Sequence, residues 1–204
     1  MAKSSKGSEF ERALCKQLSL WWTYGERNDV FWRAASSGAM ATQRQKTGQT
    51  AFGQYGDIQS TDPIGQPLTS VFSIEAKRGY KDATFWDIMN SLQTKAAKPW
   101  ELWFVQALEA KMFSNALSAM LIHKTDRRQA LVYFEYKVFK MLRKKKGWAS
   151  YPNGITPFIK TNVYLKPCRT YKGGCHVLVC MQLDDFLALD PECIIEVWED
   201  NFDS

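Results

Sequence analysis

The sequence predicts an α/β protein. Apolar residues recur at helical spacing in the first 22 positions and again after residue 83. Short runs of β-branched and aromatic residues stand between and after those segments, as strands require. The 204 residues suffice for one domain with a sizeable core. Apolar content of 45% and charged content of 24% are ordinary for a globular protein. No apolar run approaches the ~20 residues that span a bilayer, and MAKSSKGSEFER lacks the apolar centre of a signal peptide, so the expectation is a cytoplasmic protein with no membrane partner.

Ser8 reads as a helix N-cap, with Glu11 completing a capping box. Phe10, Ala13, Leu14, Leu18 and Trp21 or Trp22 then carry an amphipathic helix over 8–22. Residues 30–33 form a short strand, ended by the small residues 34–38. Residues 38–56 hold Arg44 and Lys46 and no acid, which suits either phosphate contact or a merely mobile loop. Gly56-Asp57-Ile58 opens the next strand, and 62–67 is read as the turn of a hairpin from Asp57 to Lys77. Two helices follow, over 83–97 and 100–119, the second expected to face Leu102, Val105, Leu108, Met112 and Phe113 inward. Residues 120–123 and 130–134 are apolar strands about a polar turn, and His123 at the end of the first is expected to be structural or exposed. A basic helix over 136–146 opens a Gly-, Pro-, Tyr- and Lys-rich stretch to 174. Its run Arg143 to Lys146 is either a phosphate grip or a solvated helix end. A buried strand over 176–181, a short helix from Leu183 and an acidic tail complete the chain.

Charge is unevenly spread. Formal net charge is +6, but eight acids and no base lie after residue 183, so 27 bases against 13 acids leave +14 before it. That excess suits a polyanion partner. The five cysteines and the missing secretory signal argue for reduced thiols. Cys168, Cys175, His176 and Cys180 match no common zinc spacing.

The chemistry concentrates at Val71–Arg78, an apolar strand that ends in Glu75 and Lys77. Two apart in a strand, these side chains leave the same face. A carboxylate that holds a cation beside an amine suits metal-assisted phosphodiester hydrolysis, while an ordinary same-face ion pair is the bland alternative. A hairpin would bring Asp57 near Glu75, and paired oxygen ligands suit magnesium or manganese.

Asp57 followed by Glu75-Ala76-Lys77 resembles the PD-(D/E)XK nuclease core. Lys6-Gly7-Ser8-Glu9-Phe10-Glu11-Arg12 resembles the KGSxxER opening of archaeal-type Holliday junction resolvases, Arg33–Gly38 is similar to their RAxxSG segment, and Ile74–Arg78 to their IExKxR-type strand. The resemblance implies a restriction-endonuclease-like core, a central mixed β-sheet flanked by helices in the order αβββαβ. It implies a single nuclease domain over 1–204, with its core at about 6–134 plus 175–190, 135–174 a basic insertion or arm, and 191–204 an acidic tail. It further implies Mg²⁺, with Mn²⁺ as substitute, on Asp57 and Glu75, with Glu11 completing the acidic cluster. Lys77 would activate or position water, and Ser37 would act near the scissile phosphate. Lys6, Arg12, Arg33, Arg44, Lys46, Arg78 and Gln106 would contact DNA. The implied partner is branched or junction DNA, the implied assembly a homodimer, and a phage-encoded origin also fits. The family's proline before the first motif aspartate is Gly56 here. A PD-(D/E)XK exonuclease or restriction-like enzyme, a non-catalytic DNA-binding module, and a partner protein with a plain Glu/Lys pair are the alternatives.

Overall fold

The computed structural model describes residues 6–34, 55–79, 95–146, 148 and 157–202. Ser37, Arg44, Lys46 and the helix expected over 83–97 lie outside the described residues, Lys95 to Ala97 excepted.

The described elements run α1 (Lys6–Trp22), β1 (Phe31–Arg33), β2 (Ile58–Ser60), α2 (Gln66–Val71), β3 (Phe72–Arg78), α3 (Pro99–Ser114), β4 (Ser118–Lys124), β5 (Leu131–Glu135), α4 (Tyr136–Leu142), β6 (Ile159–Leu165), β7 (Gly174–Gln182), α5 (Leu183–Leu187) and α6 (Glu192–Phe202). Five strands form one mixed sheet in the order β3-β4-β5-β7-β6, in which β3 and β4 are parallel and all other pairs antiparallel. Strands β1 and β2 pair antiparallel in a separate ribbon. The protein is therefore α/β, with a mixed sheet flanked by helices.

Alternation along the strands divides the core in two. Ile74, Ala76, Met120, Ile122, Val132 and Phe134 pack on the face covered by α1, α2, α4, α5 and α6. The rings of Phe72, Phe134 and Phe186 meet there pairwise, with centroids 5.4 to 6.0 Å apart. Leu121, Tyr133, Leu178 and Cys180 pack on the opposite face against α3.

Several expectations are corrected. Helix α1 starts by Lys6, so Ser8 lies inside its first turn instead of capping it, and Glu11 pairs with Arg33. The hairpin from Asp57 to Lys77 does not form. Asp62 accepts a hydrogen bond from the Ile64 N–H at 3.0 Å and caps a single 3-10 turn (Pro63–Gly65), which leads into α2. An Asp-Pro pair serves a helix start as well as a turn, because proline at the first helical position loses no hydrogen bond. Strands β2 and β3 consequently belong to different sheets.

Helix α3 turns a different face inward than expected. Trp100, Trp103, Phe104 and Ala107 are buried along with Val105 and Leu108, whereas Leu102, Met112 and Phe113 are exposed. The helix is apolar nearly all round, so periodicity cannot choose its face. Ile159–Leu165, inside the stretch expected to be an insertion or arm, is the edge strand β6. The basic helix α4 ends at Leu142, short of the lysine run. The acidic tail folds back as α6 and buries Cys193, Ile194 and Val197. The cysteines are free.

Candidate active site

Strand β3 is an edge of the five-stranded sheet, and its exposed edge would leave backbone groups without partners. Asp57 supplies them. Its N–H donates to the Ile74 carbonyl at 2.7 Å, and its Oδ2 accepts from the Ala76 N–H at 2.9 Å. One residue thus imitates a short strand, and the aspartate is clamped beside Glu75. The preceding Gly56 has φ of +83°, and a Cβ there would sit 2.7 Å from the Ile74 oxygen. Proline, locked near φ of about −65°, could not make this approach. The positive φ and the close approach at residue 56 therefore require glycine in this structure.

Asp57 is 3% and Glu75 8% exposed. Lys77 Nζ donates to Glu75 Oε1 and lies 3.7 Å from Asp57 Oδ2. Burial, reinforced by the Asp57 charge and opposed by Lys77, pushes Glu75 up from its ordinary 4.5 to about 7. Two buried carboxylates side by side need more positive charge than one lysine supplies. Their donor set is oxygen only, which fits a hard divalent cation such as Mg²⁺ or Mn²⁺.

Glu11 is held in an ion pair of its own. Its carboxylate accepts from Arg33 Nε at 3.0 Å. Burial pushes the neighbouring Cys15 thiol up to about 12, with the Glu11 and Asp57 charges adding to the shift and Arg33 opposing it. Strand β1 is held on α1 by Ser19, whose Oγ accepts from the Phe31 N–H at 2.9 Å and donates to the Cys15 carbonyl at 2.8 Å. Among the described residues no three His, Cys, Asp or Glu side chains form a ready metal cluster. Of the three acids expected to form the centre, Asp57 and Glu75 both lie within reach of Lys77, and Glu11 is ion-paired with Arg33.

The basic candidates divide. Lys6 Nζ lies 3.2 Å and Arg78 Nε 3.8 Å from Asp126, so the turn between β4 and β5 gathers both at the end of β3. Asp126 escaped the sequence reading because a turn aspartate carries no periodic signal. Arg12 is exposed on α1. Gln106 is exposed on α3, and no described hydrogen bond links it to the carboxylates. His123 pairs in register with Lys77 but is buried against Trp103, ring centroids 5.1 Å apart, and burial lowers its pKa. His176 pairs with the Tyr171 hydroxyl, not with a metal group.

No helix among the described residues is long and apolar enough to cross a membrane. No curated protein and no solved structure matches the chain. The model of the family described as "Phage putative PDDEXK endonuclease" matches residues 2–196. That match spans both carboxylates, the lysine and the whole five-stranded sheet, and the chain belongs to this phage PD-(D/E)XK endonuclease family.

Proposed function

We propose that the protein is a divalent-metal-dependent DNA endonuclease that selects branched DNA and works as a homodimer. The observation that carries the reading is the clamping of Asp57 onto the β3 edge beside Glu75 and Lys77. Asp57 and Glu75 would hold Mg²⁺, or Mn²⁺ in its place. Such a cation supplies Lewis acidity toward water and the phosphate oxygens. Lys77 orients the attacking water, and its ammonium balances the carboxylates. Glu11 fixes Arg33 through an ion pair. Lys6 and Arg78 present positive charge to the phosphate backbone, as does Arg12, and such contacts supply sequence-independent affinity.

Junction selectivity is supported by the likeness of Lys6–Arg12, Arg33–Gly38 and Ile74–Arg78 to the resolvase motifs. A dimer follows from the symmetric cutting that such substrates demand. The test is cleavage of four-way junction, flap, duplex and single-stranded DNA, with Mg²⁺ and with chelator. Expected are Mg²⁺-dependent cuts that favour the junction. Asp57→Asn and Glu75→Gln should each lose activity by on the order of 10²-fold or more and still bind DNA. Cleavage by both variants would refute the site, and equal cutting of all substrates would refute the selectivity.

A further inference from the structure

We propose that Trp32 is a stacking platform for an unpaired base of the substrate strand, next to the phosphate that is cut. This rests on the nuclease reading above. Six of the other tryptophans are described, and all are buried or partly buried: Trp21, Trp22, Trp100, Trp103, Trp148 and Trp198. Trp32 is 55% exposed. Other apolar side chains are exposed as well, Met112 and Phe113 among them, so exposure alone does not single Trp32 out; its place in the ribbon does.

Its position supplies the reason. Along β1 the exposure pattern alternates, with Phe31 in the core and Trp32 on the other side. Trp32 pairs across the ribbon with Gln59, and Arg33 pairs with Ile58, which is buried. The ladder continues one step, because the Ala34 N–H donates to the Asp57 carbonyl at 2.9 Å. Alternation therefore puts Trp32, Gln59 and Asp57 on one face of the ribbon, opposite the face that carries Phe31 and Ile58. Diagonal cross-strand neighbours lie about 7–8 Å apart along the backbone, so Trp32 and Asp57 are near neighbours in the ribbon.

The occupant is chosen by chemistry. A phosphodiester held at Asp57 and Glu75 would carry its flanking base toward an exposed aromatic ring on the same ribbon face. Every base has a π-face, so stacking there is tolerant of sequence. A base stacked in a duplex is not available, whereas one at a gap or branch is. Trp32 thus reads strand continuity, and it gives the enzyme a preference for DNA with unpaired bases near the cut.

The experiment uses the full chain carrying Glu75→Gln, which blocks cleavage, in Mg²⁺. Affinity is measured by anisotropy for a duplex with a short single-stranded gap and for the fully paired duplex. Adding Trp32→Ala should weaken gapped-DNA binding about 5- to 100-fold and leave duplex binding unchanged, and Trp32→Phe should restore most of the loss. Tryptophan emission should be quenched by gapped DNA in the parent and much less in Trp32→Ala. Matching thermal melts establish that the variant folds. Equal affinities of parent and Trp32→Ala for the gapped DNA overturn the proposal, as does an equal loss on both DNAs. A parent that binds neither DNA refutes the nuclease reading itself and this proposal with it. A parent that binds but still cuts refutes only the role of Glu75.

Discussion

At Glu75 the physical cost of the site is concentrated in one side chain. Its carboxyl binds a proton more tightly folded than unfolded, since burial and Asp57 raise its pKa from 4.5 to about 7. A raised pKa of this kind contributes stability that is fully present below about pH 4.5 and is lost as pH rises through about 7. In chelator the melting temperature should therefore fall between pH 5 and pH 8, on the order of the window that these two values define. Glu75→Gln should flatten that fall and melt higher than wild type at the alkaline end, while losing cleavage. Mg²⁺ should raise the wild-type melt most at high pH and leave Glu75→Gln nearly unmoved. Thermal scans of both proteins across pH, with and without Mg²⁺, check it. A wild-type melt that rises over this range would show that Glu75 is not the strained group. The motif residues Glu75 and Lys77 were legible in the chain because their chemistry is local. Glu11's partner was not, because an ion pair between residues 22 positions apart is invisible until α1 and β1 are docked.

Helix α3 shows how one buried charge ties elements together. Glu101, 1% exposed, accepts from the Lys98 N–H at 3.0 Å and from Lys166 Nζ at 3.0 Å. It closes the first turn of α3 and anchors the chain just past β6. Lys166→Met would strand a buried carboxylate and should cost about 3–5 kcal/mol. Adding Glu101→Gln removes the orphaned charge and keeps the acceptor for Lys98, so the double variant should recover most of that loss. Denaturant midpoints of the wild type, Lys166→Met, Glu101→Gln and the double variant decide it, and additive losses would mean the pair is not coupled. This tie also explains why β6 escaped the sequence reading. An edge strand with Ile159, Lys160 and Asn162 exposed carries little apolar alternation of its own, and its burial comes from partners far along the chain.

Across the whole molecule, the acidic C-terminus invites an electrostatic account of why it folds back. Lys145 does lie 2.7 Å from Asp200 and 3.6 Å from Glu196. Asp200 is largely exposed, and pairs at such a surface contribute about 0–1 kcal/mol. Cys193, Ile194 and Val197 are fully buried beside α2 and α4. Burial is the larger effect: Ile194→Ala should cost about 2–5 kcal/mol. Lys145→Met should cost less than about 1 kcal/mol and be masked by salt. Urea unfolding at low and high ionic strength separates the two, and a tail released by salt alone would reverse the ranking.

By itself the sequence determined the α/β class and the strand that carries Glu75 and Lys77, and its resemblance to the nuclease core named the upstream aspartate. The first two follow from short-range periodicity and from side-chain chemistry at fixed spacing. Only the tertiary structure decided how Asp57 arrives. It comes not by a hairpin but by a helical excursion and a glycine-enabled dock on the β3 edge, which no local pattern encodes. The tertiary structure likewise chose the inward face of α3, gathered Lys6 and Arg78 on Asp126, and left Trp32 outside on the ribbon face that bears Asp57. These outcomes depend on which surfaces meet, and contact between distant segments is set by the packing of the whole core rather than by any one stretch of it.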